Sequence, residues 1–482
     1  MAQSALQHHI LAGNRHLLKQ KSTRERTAVQ DMTSGDPMAL IIGFALPMLG
    51  GMLFQQFYNI VDTMIVGKLL GVQALAGVGA TGSVNFMIVG FCMGICSGFA
   101  IPISQRFGAR QYDEMRRFLA HGIYMCGAVS VLLTVPVCLL CRQILVLMRT
   151  PEDILEYAYS YILIIFLGIP VIMAYNLFSG AIRALGDSKA PVVFLIVSSI
   201  VNIVLDITLI LYAGMGVAGA ALATVISQAV AALLAVFYIL KKVPLLHIKR
   251  EEWKAQGRYF KTLLVMGVPM GLQYSVTAIG SVYLQSAVNG LGSVYVAAQT
   301  AGGRIAGFFC TPYDALGSTM ATYGGQNVGA GKTERLTPGL KAASKIGILY
   351  SLAAAFVLCT FGRSLLLMFV SGAETQVLEA GRMLLFVNSV FYIPLLFVNI
   401  VRFMIQGMGF SELAILAGVC EMVGRVLAAL VLIPAIGYMG ACLASPIAWI
   451  LADIFLFTAY AKTLNKVRMA LKKQNAKAEQ AG

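Results

Sequence analysis

The sequence predicts an all-α polytopic membrane protein of twelve transmembrane helices, and three observations carry that prediction. The first is composition: 58% of the 482 residues are hydrophobic and only 12% are charged, against roughly 45–50% and about 25% in soluble domains. The second is that apolar runs of the ~20 residues needed to cross a bilayer recur along almost the whole chain. The third is that the chain superposes on itself when displaced by about 221 residues, which divides the twelve helices into two repeats of six.

The runs lie approximately at 38–65, 74–102, 118–141, 157–182, 191–213, 217–240, 260–289, 295–323, 341–361, 376–405, 412–434 and 440–462. Several exceed what a perpendicular crossing needs, which predicts tilt or kinks. Pro47, Pro102, Pro170, Pro269 and Pro312 fall within or at the end of such runs, and neighbouring helices must satisfy the carbonyls they free. Residues 1–37 form a polar tail carrying Arg15, Lys19, Lys21, Arg24 and Arg26. The tail has neither the apolar core nor the small-residue cleavage site of a secretory signal, and its polarity predicts no fixed structure.

An even number of crossings puts both termini on one side. The tails and loops of that side hold 27 lysines and arginines, against four on the other: Lys68, Arg142, Arg149 and Arg363. Juxtamembrane cations resist translocation, so both termini are expected in the cytosol. The net charge of +15 sits in short loops and tails rather than on one amphipathic face, which excludes a nucleic-acid partner. The nine cysteines fall in or at the edge of apolar runs and imply no disulfide framework. Cys92 and Cys96 share a helix face without the His or carboxylate neighbours of a metal site.

The internal repeat rests on three matches in the same order. Ala45-Leu46-Pro47-Met48 faces Gly267-Val268-Pro269-Met270; Gln105-Arg106-Phe107-Gly108-Ala109 faces Gln326-Asn327-Val328-Gly329-Ala330; Gly216-Val217-Ala218-Gly219-Ala220 faces Gly437-Tyr438-Met439-Gly440-Ala441. Small residues pack helices closely, which explains each glycine but not the common offset. Six-helix bundles at 38–240 and 260–462 follow, joined by a cytosolic connector at 241–259 and ended by a basic tail at 463–482. That tail, with Lys466, Arg468, Lys472, Lys473 and Lys477, either lies on anionic lipid or is solvated. Six being even, the repeats share one orientation and are related by a pseudo-twofold along the membrane normal, with sites between or within the halves.

Among the acids inside predicted spans are Asp62, Asp206, Asp314, Glu421 and Asp453. A charge at bilayer depth needs a partner, a wet cavity or a proton. Asp62 lies near the outer end of the first helix, Asn202 and Asp206 share one face of the fifth, and Thr224 lies two turns into the sixth. These four groups come from three helices at comparable depth and can converge. Two carboxylates with an amide and a hydroxyl suit a hard monovalent cation or a proton; the same groups would equally serve interhelical hydrogen bonds that only fix packing. Glu421 and Arg425, at i and i+4, are expected to form a structural ion pair. Asp314 and Arg304 are ten residues apart on the eighth helix and are not paired by sequence, and Asp453 receives no role.

At these residues the chain resembles the multidrug and toxic compound extrusion (MATE) family over about 38–462. Tyr58-Asn59-Ile60-Val61-Asp62-Thr63-Met64-Ile65-Val66-Gly67 is similar to the family's first helix, and Gln105-x-x-Gly108-Ala109 with Gln326-x-x-Gly329-Ala330 to its paired cytosolic loops. The resemblance implies a V-shaped exporter that exchanges inward sodium or proton flow for outward movement of organic, often cationic, compounds. In one prokaryotic branch the coupling residues map by motif onto Asp62, Asn202, Asp206 and Thr224. Another branch uses a glutamate on the seventh helix and an aspartate on the tenth; those places hold Thr277 and Leu395 here.

Gln55, Tyr58 and Tyr175 are candidate chamber residues, and the 23 methionines and many aromatics either line an adaptable pocket or simply pack. The expected partners are small organic molecules and the bilayer, with Na+ or H+ as coupling ion, no other cofactor and no ATP, in a monomer of a bacterial plasma membrane. The alternative is a flippase for lipid-linked saccharides of the same superfamily, kept open by Arg304, Arg402 and Arg425. An enzyme is disfavoured because no His-Glu-x-x-His zinc motif and no Gly-rich phosphate loop occurs.

Overall fold

The computed structural model describes residues 30–148 and 150–481; the tail's cationic residues, Arg15 to Arg26, lie outside them. Among the described residues every regular element is helical. The first three crossings are Pro37–Leu70, Gly82–Gly108 and Tyr112–Leu139. The fourth is a pair, Glu152–Leu167 and Ile169–Ala184, bent by 47°. The fifth, sixth and seventh are Lys189–Tyr212, Gly216–Lys242 and Gly257–Asn289. The eighth, Ser293–Gly329, is 37 residues long but too rich in Gly, Thr and Gln to stand out by apolarity. The ninth is Leu336–Leu366, and the tenth is again a pair, Thr375–Val390 and Tyr392–Gly407, bent by 52°. Glu412–Ile436 and Tyr438–Ala481 complete the set.

The first crossing starts where Pro37 supplies a preset φ and Asp36 caps the helix, its carboxylate accepting from the Ala39 N–H at 2.9 Å. Four sequence boundaries need correction. The run 74–102 is two elements, a short helix Val72–Ala80 and then Gly82–Gly108, broken at Thr81. The tail at 463–482 continues the twelfth helix to Ala481, because its Lys, Leu, Arg, Met and Ala residues are good helix formers with no Gly or Pro to stop them before the chain's end. The connector is shorter than 241–259: the sixth helix runs to Lys242, two single 3-10 turns follow at Pro244–Leu246 and Arg250–Trp253, and the seventh begins at Gly257. Residues 30–33, assigned to an unstructured tail, are buried or half-buried, with Met32 fully buried.

The two halves repeat each other in their irregularities, where coincidence is least expected. The bent pairs break at Gly168 and Phe391, and the fifth and eleventh crossings each end in one π turn, Thr208–Tyr212 and Ala428–Leu432. Pro47 and Pro269 occupy matching places inside the first and seventh crossings. All three offsets lie close to the displacement seen in the sequence.

The halves meet mainly through the first, second, seventh and eighth crossings, most closely on the side that carries the chain ends. Gly94 and Gly98 bring the second crossing onto the seventh: a methyl on Gly94 would lie 2.5 Å from the Met270 carbonyl oxygen, and one on Gly98 2.5 Å from Gly267 Cα. At the bottom, Gly108 lies against the Gln326 carbonyl and Gly329 against the Gln105 carbonyl, each too close for any side chain. The Gln105 amide donates to the Gly407 carbonyl at 3.0 Å and the Gln326 amide to the Ala184 carbonyl at 2.9 Å. The repeated Gln-x-x-Gly motif is therefore a reciprocal clasp between the halves. On the far side Phe57, Phe86, Met93 and Phe308 are exposed, and the halves touch there through the edges of aromatic rings, Phe57 on Phe308 and Phe86 on Tyr274.

Two straps reinforce this closure. The segment before the first crossing grips the opposite half: the Met32 N–H donates to Gln326 Oε1 at 2.9 Å, Asn327 Nδ2 to the Met32 carbonyl at 3.1 Å, and Lys332 and Arg335 to the Thr33 and Gly35 carbonyls, both at 2.8 Å. Partnering these backbone groups orders a segment that its composition alone would leave loose. The segment before the seventh crossing does the converse on the third. Arg116 Nε donates to both Glu252 oxygens at 2.9 Å, Gln256 N–H to His121 Nε2 at 3.0 Å, and the Tyr259 hydroxyl to Glu114 Oε1 at 2.8 Å. Lys249 beside Asp113, helped by Arg116, holds the Asp113 carboxyl below the usual carboxylate range.

Candidate functional site

The N-terminal half contains a buried acid pair. Asp206 ends the regular part of the fifth crossing immediately before the π turn, and it is fully buried with Asn202 one turn earlier. A π turn widens the helix and re-aims the residues beside it, which is why such turns recur at functional sites. Asp62, half-buried on the first crossing, lies close enough to Asp206 for the two carboxylates to interact electrostatically, with no hydrogen bond between them. Asn202 Nδ2 lies 3.4 Å from Thr224 Oγ1, whose own proton goes to the Ala220 carbonyl at 3.1 Å. The four residues drawn from the sequence are thus in one place.

What these groups lack is as informative as what they touch. Both oxygens of Asp206, Oδ1 of Asp62 and Oδ1 of Asn202 have no hydrogen-bond donor among the described residues. No lysine or arginine among the described residues makes an ion pair with either aspartate. Two facing carboxylates can only attract each other if a proton or a cation lies between them. The orphaned atoms are all hard oxygens, the donor type that suits Na+ or H+ and not a soft metal. Among the described residues no group of three or more His, Cys, Asp or Glu side chains could hold a metal ion.

Tyr58, half-buried on the first crossing one turn before Asp62, lies within electrostatic range of both aspartates. Gln55, a turn earlier, is half-buried and makes no side-chain bond among the described residues. Tyr175, a candidate chamber residue, is 6% exposed and packed in the N-terminal core, which leaves little of it to line a chamber. Tyr161, on the half-helix before the bend and 8% exposed, lies within electrostatic range of Asp62, Tyr58 and Asp206. Tyr161 sits in an apolar run with two other tyrosines, so its sequence carried no signal that could single it out.

The C-terminal half is built differently. Glu421 and Arg425 pair at 3.1 Å, and Arg402 of the tenth crossing, which sequence spacing could not place, closes on the other oxygen of Glu421 at 2.7 Å. Arg402 also reaches Asn399 Oδ1 at 3.4 Å. Asp453 is buried nearby with one oxygen unpartnered among the described residues. Asp314 and Arg304 lie on one exposed face of the eighth crossing and do not pair with each other. The places of Thr277 and Leu395 add no acid to this half.

Comparison with known proteins agrees with this architecture. The MatE family model matches residues 47–208 and 261–431, the two halves in turn. The chain is 28% identical to the probable multidrug resistance protein YpnP of Bacillus subtilis (strain 168), over 77% of this chain and 82% of that one. It is 29% identical to the probable multidrug resistance protein YoeA of the same organism, over 69% and 73%. A solved structure of an outward-facing multidrug resistance MATE family transporter of the MOP superfamily superposes with a TM-score of 0.84 at 24% identity, covering 92% of this chain and 99% of that one. With twelve membrane helices in two repeats and a family match spanning both, the chain belongs to the MatE family, the multidrug and toxic compound extrusion transporters.

Proposed function

We propose that the protein is a secondary active antiporter of the bacterial cell membrane, exporting organic, often cationic, compounds against influx of protons or sodium ions. Both termini face the cytosol, the clasped end of the V is the cytosolic gate, and a single chain is the working unit. The observation that carries this reading is the Asp62 and Asp206 pair, whose orphaned oxygens have no protein cation to balance them. The open cleft admits the ion from outside; binding neutralises the pair and removes the repulsion that holds the first and fifth crossings apart. Release to the cytosol restores it. The cycle thereby ties ion occupancy to the packing of the N-terminal half, and the bends at Gly168 and Phe391 are where that half and its partner absorb the change.

The test is efflux of ethidium from pump-deficient cells making wild type, Asp62→Asn or Asp206→Asn at matched membrane levels, with sodium and proton gradients collapsed separately. Loss of efflux in both variants, and in one ion condition for wild type, supports the coupled exporter and identifies its ion. Full activity of both variants removes the acid pair from the mechanism.

A further inference from the structure

The central cleft has a floor, and one carboxylate stands on it. Along the eighth crossing Ala297, Thr300, Arg304, Phe308 and Asp314 form one exposed stripe, and no residue from Ala315 to Gly329 is exposed. The second crossing changes in the same way, Met93 being 41% exposed and Gly94 and Cys96 buried. An Asp and an Arg on a lipid-facing stripe would be prohibitively costly, so the stripe faces the water-filled cleft. Asp314 is its deepest member.

The protein leaves this carboxylate available. Arg402, the nearest basic group, is committed to Glu421 and Asn399, and no lysine or arginine among the described residues pairs with Asp314. Above the floor, aromatic rings from both halves bracket the cleft. Phe57 meets Phe308 edge-on at 6.2 Å, and Phe86 meets Tyr274 at 6.5 Å; Tyr274 lies within electrostatic range of Asp314. An unpaired carboxylate beneath ring faces is the chemistry that holds a delocalised, weakly hydrated cation. Arg304 lies on the same face about 15 Å farther out at ~1.5 Å per residue, so a second positive charge at that spacing is repelled.

Building on the exporter reading, we propose that Asp314 is the specificity-determining residue that receives the single positive charge of a lipophilic organic cation, between the rings of Phe57, Phe86, Tyr274 and Phe308. Asp62 and Asp206 lie in the other half, so this assigns substrate charge and coupling ion to separate carboxylates.

The experiment is equilibrium binding of tetraphenylphosphonium and of an uncharged dye of similar size, Nile red, to purified full-length protein in nanodiscs, for wild type, Asp314→Asn and Asp314→Glu. Loss of a charge-assisted contact predicts that Asp314→Asn weakens the cation by about tenfold or more, that Asp314→Glu stays close to wild type, and that Nile red binds all three alike. Equal cation binding by wild type and Asp314→Asn overturns the assignment and leaves the exporter reading standing. Parallel loss of both ligands in Asp314→Asn shows a structural role and overturns it too. If wild type binds no tetraphenylphosphonium, the inference and the cationic-substrate reading fall together.

Discussion

The two halves share a scaffold and differ in charge. Each has a bent fourth crossing, a π turn ending its fifth, a proline inside its first and a Gln-x-x-Gly closing its second. In the N-terminal half the residues before the π turn are Asn202 and Asp206, near Asp62, and no lysine or arginine among the described residues pairs with either aspartate. In the C-terminal half they are Glu421 and Arg425, locked with Arg402 into a three-member cluster. A buried charge that is paired within the protein is part of the architecture; one that is not must find its partner in solution. The two halves thus keep the bends and π turns in common while their charges differ, and under the proposed function the unpaired acids of the N-terminal half are the ones that exchange the ion.

Substitutions can break this contrast. The largest effect is expected at Asp206: Asp206→Asn should abolish gradient-driven efflux while leaving thermal stability near wild type, because no protein contact to the carboxylate is lost. Glu421→Gln should do the reverse. It strands two guanidinium groups, and breaking a buried ion pair costs roughly 3–5 kcal/mol, read as a fall in melting temperature and membrane yield. Gly329→Leu, which pushes a side chain into the Gln105 carbonyl, should open the clasp. Spin labels across the cytosolic face should then report a longer distance component, with the C-terminal cluster intact. The smallest effect is expected for Thr224→Ala, which removes one weak 3.4 Å contact to Asn202 and should raise the ion concentration for half-maximal efflux by severalfold, about 1 kcal/mol.

Much of this contrast was legible in the sequence. Apolar runs gave the crossings, a constant offset gave the repeat, and placing residues by depth gathered Asp62, Asn202, Asp206 and Thr224 before any contact was known. What escaped depends on contacts between helices distant in sequence. Arg402 reaches Glu421 from 19 residues away, so i and i+4 spacing found only Arg425. The bend at Gly168 carries no sequence signal stronger than a glycine, and the burial of Tyr175 in the N-terminal core depends on helices packed against it from elsewhere in the chain. Thr81 breaks a run that reads as continuous, and Met32 is ordered by Gln326 and Asn327, nearly 300 positions later. Asp314 was visible as a buried-depth acid, but its role turns on which face of the eighth crossing meets the cleft.

The most direct test of the division between the halves uses proteoliposomes with purified protein, following ion influx into the vesicles as substrate leaves, under an imposed sodium or proton gradient. Wild type and Asp453→Asn should show substrate-dependent ion flux, and Asp62→Asn and Asp206→Asn should show none while still binding substrate. Coupled flux that survives both N-terminal substitutions and disappears with Asp453→Asn would place the exchanging ion in the C-terminal half and contradict the account.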